Sequence, residues 1–319
     1  MDISIIIVNY KSWNPLRKCL ESILSANNSN IKFEVIIVDN FSDDNQLETF
    51  KKEFDTFIFI KSASNLGFAY GCNLGVKQAK GKYLLFLNPD TTIASNTLEV
   101  LYSTYNTQPE IGILSCLQRN KNNHFYNQKN IFPSLFHLFG ISRHIYRKTS
   151  THFDTKETVF YPDWVSGAVI YMSQDLLKQV NGWNEDYWLY YEDVEICKKI
   201  SLKNMKIAVT RNTTIHHEHG GSTRNDFKTM HICKTEVLIS KHVYISNNFK
   251  SLSKIPAHFF LILFTLIEKS TLSVISLFWF TNQKLKTNRY ILKNLLIYYV
   301  DVIKKQTWLS NRSINYQKL

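Results

Sequence analysis

At 319 residues, 44% hydrophobic and 20% charged, the chain has enough apolar matter for a full core and too balanced a composition for disorder, so it reads as one large domain or one domain with an appendage. Its five cysteines (Cys19, Cys72, Cys116, Cys197 and Cys233) are scattered and never spaced as a zinc or redox pair, which argues against a disulfide framework and for a reducing cytoplasm. The net charge of +12 lies mostly after Arg119 and in the C-terminal third, a balance that fits an anionic lipid surface or a phosphorylated substrate; no zinc-finger spacing or aromatic ribonucleoprotein motif favours nucleic acid.

The N-terminus runs directly into Ile3–Val8 without a basic n-region or a small-residue cleavage site, so it reads as a first strand and not as a signal peptide. Glu34 to Val38, Thr56 to Ile60 and Lys82 to Leu87 read as further strands, and Pro15 to Leu24, Asn45 to Phe54 and Gly71 to Ala79 as the helices between them. This βαβ succession implies an α/β fold with a parallel sheet and helices on both faces, and ligands of such sheets bind beyond the carboxyl ends of the strands. Those ends carry Asn9-Tyr10, Asp39-Asn40 and Asn88-Pro89-Asp90. The last is the most informative, because the apolar run from Tyr83 stops at a proline and a lone carboxylate, presented from a turn. Ordinary turn and helix-cap chemistry would account for each of these ends taken alone.

Beyond Leu114 the pattern loosens. Gln118 to Phe160 has no sustained period and reads as a long loop or flap. Val165 to Met172 is a strand, a helix begins near Glu192, and the tail from about Asp226 is helical. Within the tail, Phe259 to Ile267 and Leu272 to Phe280 are apolar but separated by Glu268-Lys269, and each is shorter than the ~20 residues of a spanning helix. Basic and aromatic residues (Trp279 beside Lys284 and Lys286) point to an interfacial segment; a helix pair packed on the rest of the protein is the alternative.

Three clusters carry possible chemistry. Tyr190-Tyr191-Glu192-Asp193-Val194-Glu195 sets carboxylates beside aromatic surface, which raises a pKa toward that of a useful base, although acids are also expected in a first helical turn. His216-His217-Glu218-His219-Gly220-Gly221-Ser222 suits a divalent metal or phosphate but lacks the thiolates or second histidine pair of structural zinc. A hard cation held by Asp90, one histidine and phosphate oxygens is the simpler arrangement. Asn65-Leu66-Gly67-Phe68-Ala69-Tyr70-Gly71 permits close backbone approach and offers free amides at a helix start, though it is neither a Walker loop nor GxGxxG.

In order, Ile5 to Tyr10, Val38 to Ser42, Asn65 to Ala69, Leu87 to Thr91, Val165 to Ala168, Tyr191 to Cys197 and His217 to Ser222 resemble the motif series of the family 2 inverting glycosyltransferases, over roughly residues 1–245. The resemblance is greatest to the rhamnosyltransferase-like branch that builds bacterial O-antigen and other surface polysaccharides. It implies a GT-A fold, a Rossmann-like, mostly parallel sheet flanked by helices, on residues 1–245, with residues 246–319 a helical membrane-associating extension. It further implies a nucleotide-sugar donor (dTDP-rhamnose first, then a UDP-sugar), a divalent cation (Mg2+ or Mn2+), and a polyprenyl-pyrophosphate-linked glycan acceptor at the cytoplasmic face of the plasma membrane. Carried over by residue, Asp39 binds the nucleobase or ribose, while Asn9, Asn65 and Gly67 line the nucleotide pocket. Asp90 matches the last acid of the DxD motif, whose first acid is replaced by Asn88 here, and both belong to the nucleotide-sugar-binding set. His217 matches the metal-binding histidine, with His219 its substitute in another register. Asp193 matches the catalytic base, with Glu192 second, and Trp164, Gly167 and Trp188 shape the donor-sugar and acceptor sites. A sugar nucleotidyltransferase would instead carry a Gly-rich basic loop after the first strand, which Asn9-Tyr10-Lys11-Ser12 is not. A non-catalytic carbohydrate- or membrane-binding module is the alternative from another class.

Overall fold

The computed structural model describes residues 1–26, 31–120, 122–126, 130–135, 138, 157–218, 227–279 and 281–319. The chain divides into two compact units, one of residues 1–132, 151–184 and 192–222, the other of residues 133–150, 185–191 and 223–319.

The first unit is built on one sheet. In chain order it contains β1 (Ile3–Asn9), α1 (Trp13–Leu24), β2 (Phe33–Asp39), α2 (Gln46–Glu53), β3 (Ile58–Lys61), α3 (Phe68–Val76), β4 (Tyr83–Leu87), β5 (Thr91–Thr92), α4 (Thr97–Thr107) and β6 (Ile111–Arg119). β7 (Phe125–Tyr126), β8 (Val159–Phe160), β9 (Val169–Ser173), α5 (Gln174–Gln179), α6 (Glu192–Ser201) and β10 (Lys206–His217) complete it. The strand order is β3-β2-β1-β4-β9-β6-β10-β5. β1 runs parallel to β2 and β4, β2 to β3, and β6 to β10, as the βαβ succession requires. β9 inserts antiparallel between β4 and β6, so the sheet is mixed and mostly parallel.

Period-two alternation sorts the side chains of these strands onto two buried faces. Ile3, Ile5 and Ile7 point to the face covered by α1, α2 and α4, whereas Ile6 and Val8 point to the face covered by α3, α5 and α6. α3 lies close on β1, because a Cβ at Gly75 would come within 2.6 Å of Ile6 Cγ2 and one at Gly71 within 2.7 Å of Val8 Cγ1. The helix starts at Phe68, three residues before the sequence-based expectation, after Gly67 with φ 101°. Only glycine adopts that conformation without strain. The strand expected from Val165 begins at Val169, since residues 165–168 form the turn that carries Gly167.

The second unit contains α7 (Phe227–Asn248), α8 (Ser251–Phe278), α9 (Gln283–Lys305) and α10 (Ile314–Gln317). The expected boundary at residue 245 falls in the last turn of α7. Glu268-Lys269 does not interrupt the apolar stretch: α8 runs through it as one helix of 28 residues, with Lys269 Nζ 2.7 Å from Glu268 Oε1. Both residue types are good helix formers, so the pair changes polarity without breaking the helix. α8 is long and apolar enough to cross a membrane by length and composition. These helices bury apolar residues such as Ile245, Leu261 and Leu295 together with polar ones, and leave many apolar residues exposed. Leu252 (95% exposed), Ile255, Phe259, Leu263 and Ile267 of α8 and Leu296, Val300 and Ile303 of α9 face outward, while His242, His258, Thr265, Ser276 and Thr287 are buried. The polar interior is bonded: His242 and His258 share a 2.8 Å Nδ1 to Nδ1 hydrogen bond, and Arg289 Nη2 donates to the Ser276 carbonyl at 2.6 Å.

Glu236 of α7 is fully buried, accepting from Ser310 Oγ (3.1 Å) and Arg312 Nη1 (3.3 Å) through Oε1 while Oε2 has no hydrogen-bond partner. Burial pushes its carboxyl up to about 7, against the pull of Arg312. Because the folded chain holds this proton more tightly than the unfolded one, stability falls as pH rises from about 4.5 to 7 and the full penalty remains above that window. Glu236→Gln is therefore expected to unfold at a higher temperature than wild type at pH 8, by on the order of 1–3 kcal/mol or a few degrees, and to lose that advantage at pH 5. Parallel melting curves at both pH values would rule the effect out.

Candidate active site

The carboxyl ends of β1, β2 and β4 lie side by side at one edge of the sheet. Asn9 and Asp39 are paired in register at the ends of β1 and β2, and both are buried. Asp39 accepts from the Ser42 hydroxyl and backbone N–H, and the Ser42 hydroxyl in turn accepts from Lys11 N at 2.9 Å. Burial nevertheless raises the Asp39 carboxyl above the ordinary carboxylate range, with the Ser42 bonds opposing it. Asn40 Nδ2 donates to Asn65 Oδ1 (3.1 Å) and to the Gly67 carbonyl (3.2 Å), and Asn65 Oδ1 also accepts from Gly67 N. This ties the start of α3 to the end of β2. Two buried polar atoms here lack hydrogen-bond partners, Asn9 Nδ2 and Asn40 Oδ1. An unsatisfied buried group costs roughly 1–3 kcal/mol, so a ligand offering one acceptor and one donor would be stabilised here.

Asp90 and His217 meet through sheet pairing. β5 runs antiparallel to the end of β10, setting His217 opposite Thr91, and Glu218 N donates to the Asp90 carbonyl at 2.9 Å. The turn from Asn88 is closed by Thr91 Oγ1 donating to the Asn88 carbonyl at 2.7 Å, and Asn88 N donates to Ala168 O. His217 Nε2 lies 3.3 Å from Asp90 Oδ1, and both side chains are buried. Asp90 Oδ1 makes no hydrogen bond despite that proximity. His217 Nδ1 is 3.3 Å from Gln118 Oε1; with the proton on Nδ1, Nε2 turns a lone pair toward the carboxylate. A cation between the two acceptors resolves that opposition, so these residues fit a divalent metal. Among the described residues no group of three or more His, Cys, Asp or Glu side chains surrounds such a position, so further ligands would come from a bound molecule. His216 is exposed on β10, and His219 lies outside the described residues.

Glu192 and Asp193 open α6. Asp193 Oδ2 accepts from Gly167 N at 3.0 Å and Oδ1 from Val194 N at 2.8 Å. Burial raises both carboxyls, but the two amide donors favour the anion of Asp193, whereas Glu192 Oε2 has no hydrogen-bond partner and Glu192 also feels Asp193 beside it. Of the two, Asp193 is thus the one whose anion its surroundings favour.

Trp164 is half-buried, its indole N–H donating to the Ile131 carbonyl at 2.9 Å and its own carbonyl accepting from Asn130 Nδ2. Trp188 belongs to the helical unit, where the Arg312 guanidinium sits 5.7 Å from its ring centre. The sequence-based set thus resolves into three groups: Asn9, Asp39, Asn65 and Gly67 at β1 and β2; Asn88, Asp90 and His217 at β4 and β10; and Glu192, Asp193 and Gly167 at α6. Two further residues join them, Asn40 and Gln118. Asn40 was legible as a polar residue at a strand end; Gln118 ends the apolar run of β6, a weaker signal that only the β6–β10 pairing makes meaningful.

The profile of Glycosyl transferase family 2 matches residues 4–168, and that of the N-terminal domain of galactosyltransferase matches residues 147–220. The rhamnosyltransferase WbbL of Escherichia coli (strain K12) is 26% identical over 79% of this chain and 98% of its own length. The N-acetylglucosaminyl-diphospho-decaprenol L-rhamnosyltransferase of Mycobacterium tuberculosis is 19% identical over 70% of this chain and 78% of its own. Among solved structures, S. aureus TarS 1-349 superposes with a TM-score of 0.53 at 21% identity, covering 75% of this chain and 66% of that one. The mannosyltransferase PcManGT from Pyrobaculum calidifontis, in complex with GDP-Man and Mn2+, gives 0.55 at 15% identity, covering 81% and 69%. These likenesses establish the GT-A fold, and with the profile match spanning more than half of its residues, the chain belongs to the family 2 glycosyltransferases.

Proposed function

We propose that the chain is an inverting sugar transferase that uses a nucleotide-sugar, dTDP-rhamnose first, and a hydroxyl of a polyprenyl-pyrophosphate-linked glycan at the cytoplasmic face of a membrane, in O-antigen or other surface polysaccharide synthesis. The observation that carries the reading is the Asp193 carboxyl, which accepts from both Gly167 N and Val194 N and so is the member of the Glu192–Asp193 pair whose anion is favoured. One base is what a single displacement needs, unlike the paired carboxylates of a glycosidase.

Asp193 takes the proton of the acceptor hydroxyl as its oxygen attacks the anomeric carbon; the bond from that carbon to the diphosphate breaks on the opposite face, and configuration inverts. Asp39, Asn9, Asn65 and Gly67 hold the nucleotide, the orphaned Asn9 Nδ2 and Asn40 Oδ1 giving it one donor and one acceptor. Asp90 and His217 would hold Mg2+ or Mn2+, which when bound neutralises charge on the departing diphosphate. Asn88 joins the nucleotide-sugar-binding set, and Trp164 and Gly167 shape the space for the donor sugar and acceptor. Rhamnose is supported by the two relatives named as rhamnosyltransferases. Another hexose is the second reading, supported by the hexosyltransferase Agl10 of Haloferax volcanii, 26% identical over 70% of this chain. Release of nucleoside diphosphate from a panel of dTDP-, UDP- and GDP-sugars, with Mn2+ or EDTA, tests both: turnover of dTDP-rhamnose supports the first, turnover of a UDP-hexose alone the second, and no metal-dependent turnover of any donor defeats the reading.

In the same reading residues 246–319 hold the chain peripherally at the membrane. The outward apolar faces of α8 and α9 suit the acyl boundary, and the exposed Lys250, Lys293, Lys304 and Lys305 suit anionic headgroups. An interfacial position is favoured over a spanning one because a span would carry Glu268-Lys269 into the bilayer, at roughly 2.5–3.5 kcal/mol per central charge. Leu263→Glu with Ile267→Glu should lower co-sedimentation with phosphatidylglycerol vesicles about 10-fold or more; vesicle binding equal to wild type would sink the assignment.

A further inference from the structure

We propose that Asn130, together with Asp163, is a positioning residue for the general base, fixing the turn from which Gly167 N reaches Asp193; the inference rests on the reading of Asp193 given above. All the groups involved lie in the sheet unit. Residues 161–168 join β8 to β9 with no helix or strand of their own. Their far end is fixed by the sheet, because Ala168 O accepts from Asn88 N at 3.1 Å and β9 then pairs with β4. Their near end lies outside the ladder, and there residues 130–132 hold it. Asn130 Nδ2 donates to the Trp164 carbonyl at 3.1 Å, and the Trp164 indole N–H donates to the Ile131 carbonyl at 2.9 Å. Asp163 N donates to the Asn130 carbonyl at 2.9 Å, and Phe132 N donates to Asp163 Oδ2 at 2.8 Å.

Each segment of this clasp both donates and accepts. Asn130 is its buried member, 3% exposed, and Asp163 its exposed one. A carbonyl only accepts, so the amide nitrogen of Asn130 must face Trp164, and its Oδ1 is left without a hydrogen-bond partner. The clasp also leans on α6: Lys198 Nζ lies 4.7 Å from the Phe132 ring centre, Val165 N donates to the Cys197 sulfur, and Phe132, Trp164, Val165 and Cys197 share one apolar cluster. From Trp164 the chain has three residues in which to bring Gly167 N to 3.0 Å from Asp193 Oδ2. Val194 N, the other donor, belongs to α6 and moves with Asp193, whereas Gly167 N is brought from 26 positions away. Its aim therefore depends on the clasp. Losing that donor raises the Asp193 carboxyl, because a hydrogen bond to the anion favours the anion. Neither Asn130 nor Asp163 hydrogen-bonds Asp193 itself; they act through the backbone.

The test compares Asn130→Asp, Asn130→Ala, Asp163→Ala, Asp163→Asn and Asp193→Asn in the full chain, reading kcat, donor KM, the pH profile of kcat and the melting temperature. Both Asn130 variants remove the donor to Trp164 O; they should lower kcat about 10-fold or more and move the acid limb of the profile to higher pH, with donor KM near wild type. Asp163→Ala, at an exposed side chain, should move the limb the same way by less. Asp163→Asn, whose amide oxygen still accepts from Phe132 N, should restore the wild-type profile. Glu192 and Cys197, titratable neighbours of Asp193, are unchanged in all four. An unmoved acid limb in folded Asn130 variants, beside lost turnover in Asp193→Asn, overturns the positioning role and leaves the base assignment standing. If the Asn130 variants do not fold, an unmoved limb in Asp163→Ala overturns it instead. A fall in kcat with an equal loss of donor affinity and no pH shift also overturns it, as a general structural effect. Full turnover in Asp193→Asn overturns both.

Discussion

Asp193→Asn should lower kcat by about 100- to 10,000-fold while leaving nucleotide affinity close to wild type, the range that a positioned general base contributes. The substitution keeps the shape of the side chain and an oxygen to accept from Gly167 N, but removes the carboxyl whose anion two backbone donors favour. Glu192 does not replace it. Burial and the neighbouring Asp193 push its carboxyl well above the ordinary range, and removing that neighbour relieves only part of the shift, since burial is the larger cause. The acid limb of the wild-type pH profile should lie above that of an exposed aspartate, for the same reason. Nucleotide binding measured by calorimetry beside single-turnover transfer separates the two effects; a variant that transfers at the wild-type rate would remove Asp193 from the chemistry.

Asp90→Asn and His217→Ala should each weaken Mn2+ binding on the order of 100-fold or more, and Gln118→Leu about 10- to 100-fold, the scale at which loss of a ligand's own hydrogen-bond partner is felt. Asp90 Oδ1 and His217 Nε2 face one another at 3.3 Å with no hydrogen bond made by the carboxylate oxygen. Gln118 matters because its Oε1, 3.3 Å from His217 Nδ1, accepts in the tautomer that carries its proton on Nδ1, the one in which Nε2 can ligate a cation. Mn2+ electron paramagnetic resonance with nucleoside diphosphate present reads affinity directly, without transfer. Wild-type affinity in both Asp90→Asn and His217→Ala would exclude this pair as ligands, whatever happened to turnover.

The two effects differ in how they could have been anticipated. Asp193 sits in a run of acids beside aromatics, and its acidity is visible in sequence; that Gly167 N reaches its carboxylate across 26 positions is not. His217 is one of three histidines in four positions, and no local feature chooses among them. The choice is made by the register of β10 against β5 and β6, which sets His217 opposite Thr91 and turns its ring to Gln118. Strand register flips every side chain with a one-residue slip, so it is a property of the paired strands and not of either alone.

By itself the sequence determined the α/β class, the order of the first four strands and the convergence of Asn9, Asp39 and Asp90 at one sheet edge, because runs such as Ile3–Val8 and Tyr83–Leu87 are buried on both faces and end at polar breakers. Tertiary structure alone decided the antiparallel insertion of β9, the continuity of α8 through Glu268-Lys269, the outward turn of much of its apolar surface and the membership of Glu185–Tyr191 in the helical unit. Burial and periodicity are written along the chain, residue by residue. Pairing partners, the direction a helix face turns and the proton held by a buried carboxyl depend on groups that are distant in sequence, and they exist only once those groups have met.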